Sequence, residues 1–429
     1  MKTQLLEDEI LDMMKLENQF GVFNNNMMML LSDEDKAYVE GLQSLCIEQE
    51  EKIGRIQGHN NADYYDWFEW AGKHGLINRS NEYPHRDDLE IGMKAEILRC
   101  WTMDIFNPQF NIALGASVLC VNPIAHHHNN REPLLKDLQD LLDGKKIGCI
   151  GITEPTRGSD AVNMTVKAEK VDGGYTIDGI KCYTTNSPKA DMCAVYGVLN
   201  EEDPRGTMVQ GISHREWDHG FKAERIGIPS VSKVHIGKTI FEDSFIPDEY
   251  MTGGEPGEGY HILFEGLVPE RIGIAATNVG QMWGAFALAS LYSTVRKQFG
   301  TPPGTTKILL HQAVGMSVLS KYHSRLMSIT MALLKLAEAY DAKRDELVGI
   351  SPFMNPFVAM ASQMKEQAAH LVHELTYECM HAMGGTGVTD QTKMPLYQGV
   401  SEIAEVVGGT RNVQLLIGSR TINTMVKMI

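Results

Sequence analysis

Near the C-terminus the chain reads VVGGTRN, Val406 to Asn412. Two glycines and a threonine make a tight polar turn in which the backbone can touch a ligand. Nothing in the turn can take or give a proton. Any proton transfer there needs an acid or base from elsewhere in the chain. A second stretch, CIGITEPTRGSD from Cys149 to Asp160, runs small and β-branched residues into Thr153-Glu154-Pro155 and then a Gly158-Ser159 turn. Its N–H groups and hydroxyls suit a flat polar ring or a pyrophosphate. Further on, IKCYTTN from Ile180 to Asn186 places an aromatic, Tyr183, before two hydroxyl residues, Thr184 and Thr185.

The chain that must position these residues has 429 residues, 43 % of them hydrophobic, which is enough for two or three domains around a large core. No apolar run approaches the roughly 20 residues of a membrane span. The acidic N-terminus lacks a basic-then-apolar signal pattern, so a cytoplasmic protein is expected. A formal net charge of −16 opposes binding to nucleic acid. The Cys count is 7, an odd number with no CxxC pair, as in a reducing compartment. His126-His127-His128 invites a metal, but consecutive residues do not point the same way. No Cys or carboxylate sits at ligand spacing, so the run reads as surface loop and no metal is expected.

Periodicity divides the chain into helices, a β block and helices again, an α+β fold. Residues 1–30 read as an N-terminal extension, and 1–28 and 122–132 as a tail and a loop. Residues 31–145 read as an N-terminal helical domain, with Ser32 as an N-cap before acidic residues. Residues 146–258 read as a middle β-barrel or sandwich domain, with a hairpin turning at Asp172-Gly173-Gly174. Residues 259–429 read as a C-terminal four-helix bundle. One of its helices should start near Pro269 and another stop at Gly384-Gly385.

TEPTRGSD followed by GIKCYTTN resembles the acyl-CoA dehydrogenase family. The resemblance continues through ERIGIAATNVG … RKQFG, ECMHAMGGTGV and VVGGTRN, and covers roughly residues 80–429. It implies an FAD-dependent enzyme that removes a proton and a hydride from adjacent carbons of an acyl-CoA. It also implies a homo-oligomer, a dimer of dimers, with FAD between subunits and an electron-transferring flavoprotein as acceptor. Carried onto this chain, the family's flavin contacts fall on Ile150, Ile152, Thr153, Gly158, Ser159, Tyr183, Thr184 and Thr185. A neighbouring subunit would lend Arg296 and Phe299. His381, which is Gln in most members, sits with Gly384 and Gly385 at a second turn, and Thr410 and Asn412 match the adenine side.

One departure matters. Most members carry their catalytic Glu at the position of Gly408. Subfamilies resembling isovaleryl-CoA and long-chain acyl-CoA dehydrogenases carry it instead just before a helical Arg. Here that stretch is LVPERIG, so the resemblance makes Glu270 the base and Arg271 the family arginine. A helix-starting Glu ordinarily only complements the dipole. The loss at 408 and the gain at 270 occur together, which favours catalysis. Arg271, the Gly408 N–H and Ser159 would then contact substrate. Arg271 and Arg296 are about seven turns apart and should share one helix. An Asp of the N-terminal region, Asp87, Asp88 or Asp104, is the alternative base, suited to a cyclic or aryl-substituted acyl-CoA. A flavoprotein of this fold acting as a binding or repair factor, or as an oxygenase, is the remaining alternative.

Overall fold

The structure is a computed structural model that describes residues 8–77, 92–300, 302, 304, 306–310, 312–347 and 355–427. Asp87 and Asp88 lie outside the described residues.

Helices α1 (Asp8–Met13), α2 (Leu16–Met27), α3 (Asp33–Ile53), α4 (Arg55–Asn61), α5 (Phe68–Lys73), α6 (Met93–Phe106), α7 (Pro108–His127) and α8 (Glu132–Leu142) come first. Ser32 caps α3 as expected: its side chain accepts from the Asp35 N–H. Residues 8–27 are not a tail. Phe20, Phe23 and Met27 recur on one face of α2 and are buried. The Phe23 ring meets Trp101 of α6 at 6.2 Å and Trp283 at 5.5 Å, both edge-on. Residues 122–127 likewise belong to α7 rather than to a loop, since helix geometry continues past Pro123. His127 at its end pairs with Glu265 at 2.9 Å.

The middle of the chain supplies β1 (Gly148–Gly151), β2 (Lys167–Val171), β3 (Gly174–Thr185), β4 (Met192–Val198), a short α9 (Pro204–Thr207), β5 (Met208–His214), β6 (Lys222–Ile226), β7 (Ile236–Pro247) and β8 (Met251–Gly253). They form one sheet in the order β6-β7-β3-β2-β4-β5-β8, with β1 running parallel beside β4. The sheet stays open; the expected closure into a barrel does not occur. The β2–β3 hairpin turns on Asp172 and Gly173, with Val171 opposite Gly174 and Gly173 at φ +77°.

Helices α10 (Glu258–Glu265), α11 (Leu267–Val295), α12 (Lys321–Leu347), α13 (Phe357–Met383), α14 (Met394–Ser401) and α15 (Arg411–Lys427) complete the chain. A π-helical stretch, Gln312–Ser320, leads into α12. The axis of the molecule is α11: every residue from Asn278 to Ala289 is buried. It packs against α2, α6, α12 and α13 at once. Small residues allow that closeness. A Cβ on Gly280 would stand 2.7 Å from the Cβ of Asp104, and one on Gly284 would stand 2.4 Å from the Tyr397 ring. α13 ends at Gly384, as expected. Arg296 is not on α11; the backbone leaves helical geometry there, at ψ 125°.

Because Phe23 is fully buried between two tryptophans, Phe23→Ala should lower unfolding stability by about 3–5 kcal/mol, measured by denaturant titration. A change under about 0.5 kcal/mol, the size usual for surface positions, would mean that α2 is peripheral.

Candidate active site

The loop after β1 is held by a buried ion pair. Glu154, 3 % exposed, accepts from the Thr165 N–H and hydroxyl and from the Val166 N–H. Lys181 of β3, fully buried, donates to Glu154 at 2.8 Å and to the Ile152 carbonyl. The Cys182 N–H donates to the Thr153 carbonyl at 2.8 Å. These contacts bring the two polar stretches of the sequence to one place. Burial opposes the Glu154 charge, but Lys181 and the hydrogen bonds hold its carboxyl below the usual range. Burial pushes the Lys181 ammonium down.

The pairing of β3 with β7 slips between Lys181 and Thr184. Tyr183 sits in that bulge at φ +56° and is 65 % exposed. A bulky residue in the left-handed region is strained, and such strain collects at binding sites. The Thr184 hydroxyl next to it is buried without a partner. Ile150 and Ile152 are half-buried and pack with Met164, Tyr196 and Leu263. Gly158 and Ser159 are exposed, and a Cβ on Gly158 would meet nothing within 4 Å. Thr153 and Thr185 are half-buried between these groups.

A second group forms where α11 meets the turn at Gly408. Gly408 has φ +62° and Gly409 φ +87°. A Cβ placed on Gly408 would stand 2.1 Å from Ile274 Cδ1 and 3.4 Å from Glu270 Oε1. The Glu270 carboxylate therefore occupies the space a side chain from position 408 would enter. Glu270 is half-buried in the first turn of α11, and Arg271 beside it is buried with Nε unpartnered. Burial lowers the Arg271 pKa against the pull of Glu270. On the sheet side, burial raises the Tyr196 pKa, and the charges of Glu270 and Glu265 add to it. The Glu270 charge is thus felt both at the glycine turn and at Tyr196 of β4.

Sequence reasoning missed what lies under the turn. Lys365 of α13 is fully buried and donates to the Gly409 carbonyl at 2.7 Å. Gln414 of α15 donates to the Gly408 and Gly409 carbonyls at 3.1 and 3.0 Å. Among the described residues, no acceptor takes the Gly408 or Gly409 N–H. A lysine whose nearest apolar neighbours are alanines on a long helix gives no sequence signal beyond its position in an apolar stripe. Thr410 leads into α15 and Asn412 is exposed on its first turn.

The other expected residues lie apart. Arg296, Phe299, His381 and Gly385 are exposed at the far ends of α11 and α13, joined by Tyr292 and Thr386 at 3.3 Å. Phe299 also has φ +56°. Arg296 lies roughly 39 Å along the α11 direction from Glu270. Asp104 is fully buried against Gly280, roughly 15 Å along α11 from Glu270. Burial raises its pKa well above the usual range, and it accepts from Asn111. It is enclosed by the core and does not reach the glycine turn.

Comparison with known proteins supplies the family. Models of the acyl-CoA dehydrogenase middle domain and C-terminal domain match residues 149–244 and 257–423. The chain belongs to the acyl-CoA dehydrogenase family. Membership makes it an oxidoreductase acting on a CH–CH bond. A short-chain-specific acyl-CoA dehydrogenase of Clostridium acetobutylicum is 30 % identical over 313 residues, 71 % of this chain and 76 % of that protein. A mitochondrial isovaleryl-CoA dehydrogenase of Oryza sativa subsp. japonica is 26 % identical over 313 residues, 72 % of this chain and 71 % of that protein. The butyryl-CoA dehydrogenase structure from Megasphaera elsdenii shares the fold, with TM-score 0.77 at 23 % identity, covering 91 % of this chain and 98 % of that one. Among the described residues, no group of His, Cys, Asp and Glu could hold a metal ion, and no helix is long and apolar enough to cross a membrane.

Removing the cation from the Glu154–Lys181 pair leaves a buried charge. Lys181→Met should cost about 3–5 kcal/mol in unfolding free energy. Adding Glu154→Leu should recover much of it. A loss in Lys181→Met that Glu154→Leu only deepens would show that the pair is not the anchor of this loop.

Proposed function

We propose that this protein oxidises an acyl-CoA thioester to its α,β-unsaturated product, with Glu270 as the base for the α-proton. The observation that carries this reading is the 3.4 Å approach of the Glu270 carboxylate to the empty side-chain position of Gly408. A base must lie within hydrogen-bond reach of the proton it takes, and no side chain on the turn itself can serve.

The thioester oxygen would sit at the free Gly408 N–H. A hydrogen bond there stabilises the charge that develops on the oxygen as the α-proton leaves. Two pinned carbonyls keep the turn from collapsing onto its own donors. Arg271, buried behind Glu270, supplies a fixed positive charge that favours the ionised base. Ile274 stands beside Glu270 in front of the turn.

The residues present fit FAD. Tyr183 offers an exposed, strained aromatic face, the Thr184 hydroxyl is buried and unspent, and the Gly158-Ser159 turn is open. Ile150, Ile152, Thr153, Ser159, Tyr183, Thr184 and Thr185 would hold the flavin. When bound, FAD supplies the acceptor for the β-hydride. Arg296, Phe299, His381 and Gly385 lie at the end of α11 remote from Glu270, which supports the reading that they serve the flavin of a second copy. On that reading a second copy is needed to bring them to the adenosine diphosphate part, with Thr410 and Asn412 on the adenine side. A dimer of dimers would meet that need, and an electron-transferring flavoprotein would take the two electrons.

The test is anaerobic reduction of the FAD-loaded protein by a panel of short, branched and cyclic acyl-CoAs. At least one should bleach the flavin absorbance. Glu270→Gln should keep its FAD but be reduced at least about 10²–10⁴-fold more slowly. Reduction at the wild-type rate would assign the proton to another group. No bleaching by any acyl-CoA would favour a binding role.

A further inference from the structure

We propose that Lys365 is a positioning residue for the reaction: its buried ammonium clamps the Gly408-Gly409 turn from beneath by the Gly409 carbonyl and so holds the backbone whose Gly408 N–H receives the thioester oxygen. The inference rests on the reading of Glu270 and Gly408 given above.

Burying a lysine is costly, and such residues are kept only where they are paired. Lys365 is fully buried, and its hydrogen bond is to the Gly409 carbonyl, not to a carboxylate. The charged groups facing it are Glu270 and Arg271 of α11, Glu405 before the turn and Glu366 on its own helix. Burial brings its pKa down to about 8. Glu366 pairs with Arg411 at 2.7 Å, and Glu405 with His370 at 3.0 Å. The strongest charge acting on the ammonium is Glu270, while its hydrogen bond goes to the backbone of the turn.

The turn needs such a clamp. Two consecutive residues at positive φ are held by no sheet or helix ladder, and glycine gives the backbone wide freedom. Lys365 and Gln414 fasten both carbonyls, the two side chains approaching from α13 and α15. A peptide unit is planar, so the Gly408 carbonyl held by Gln414 fixes the Gly409 N–H, and the Gly409 carbonyl held by Lys365 and Gln414 fixes the Thr410 N–H. The Gly408 N–H precedes these two planes and is held through the Cα atom it shares with the first of them. The lysine lies on the same helix pair that carries Glu270, since α11 and α13 pack along their length. Base and oxygen-binding turn are therefore referenced to one rigid frame.

The experiment uses the FAD-loaded full-length protein and an acyl-CoA that reduces the wild type. Flavin reduction is followed by stopped flow in Lys365→Met, Lys365→Arg and Gln414→Met. A 3-thia acyl-CoA, whose deprotonated form gives a charge-transfer band with oxidised flavin, reports how strongly the site acidifies the α-carbon. Lys365→Met should reduce the flavin about 10²-fold more slowly, the usual cost of a misplacement near 1 Å. Its KM should change little, its 3-thia band should be lost or need a higher pH, and Lys365→Arg should restore part of both. If Lys365→Met does not fold, Lys365→Arg and Gln414→Met decide: both should weaken the band while keeping FAD. Wild-type reduction and a wild-type band in Lys365→Met, or in both of the other variants, would overturn the inference. Failure of the wild type itself to be reduced would instead overturn the proposed function.

Discussion

The approach of α11 to the glycine turn governs the rest of this site. Ile274 and Glu270 sit one helical turn apart and fill the volume in front of Gly408. With Ile274 Cδ1 at 2.1 Å from the Cβ position, a side chain at 408 would have to push the Ile274 side chain aside and adopt a backbone at φ +62° that favours glycine. The helix cannot easily move, because its next three turns are buried on all sides. Glycine at 408 and glutamate at 270 are thus two halves of one arrangement. Each makes sense only in the presence of the other.

The same closeness explains the supporting cast. A turn of two left-handed glycines gains no stability from regular structure, so its carbonyls are satisfied by side chains from two helices. The loop after β1 repeats the device, with Glu154 and Lys181 in place of Lys365 and Gln414. In both places a buried polar group spends its hydrogen bonds on backbone. The Gly408 N–H and the Thr184 hydroxyl are among the polar groups left without a partner. A ligand that reached them would make the missing bonds.

Much of this was legible from residue order because local rules and global packing agree. Ser32 caps its helix, Asp172-Gly173 turns its hairpin, and Gly384 stops its helix for reasons that act within a few residues. The closeness of Glu270 to Gly408 agrees with their places in two motifs of fixed register. Illegible were features that depend on contacts distant in sequence. Phe20 and Phe23 look like any apolar pair near a chain end until Trp101 and Trp283 close around them. The helix through Pro123 defeats a breaker signal because the surrounding core holds it. An open sheet and a barrel share one pattern of strands and turns, so only edge pairing tells them apart. Lys365 could be read as an ordinary helical lysine, and only the fold shows that it points at a carbonyl 44 residues away.

The account turns on where the Glu270 carboxylate stands relative to the carbon it would deprotonate. A crystal structure with FAD and a bound acyl-CoA analogue measures that directly. The account predicts a carboxylate oxygen about 3–3.5 Å from the α-carbon, the separation of a reactive pair, with the thioester oxygen on the Gly408 N–H. A carboxylate turned away from the ligand, with another side chain against the α-carbon, would contradict it.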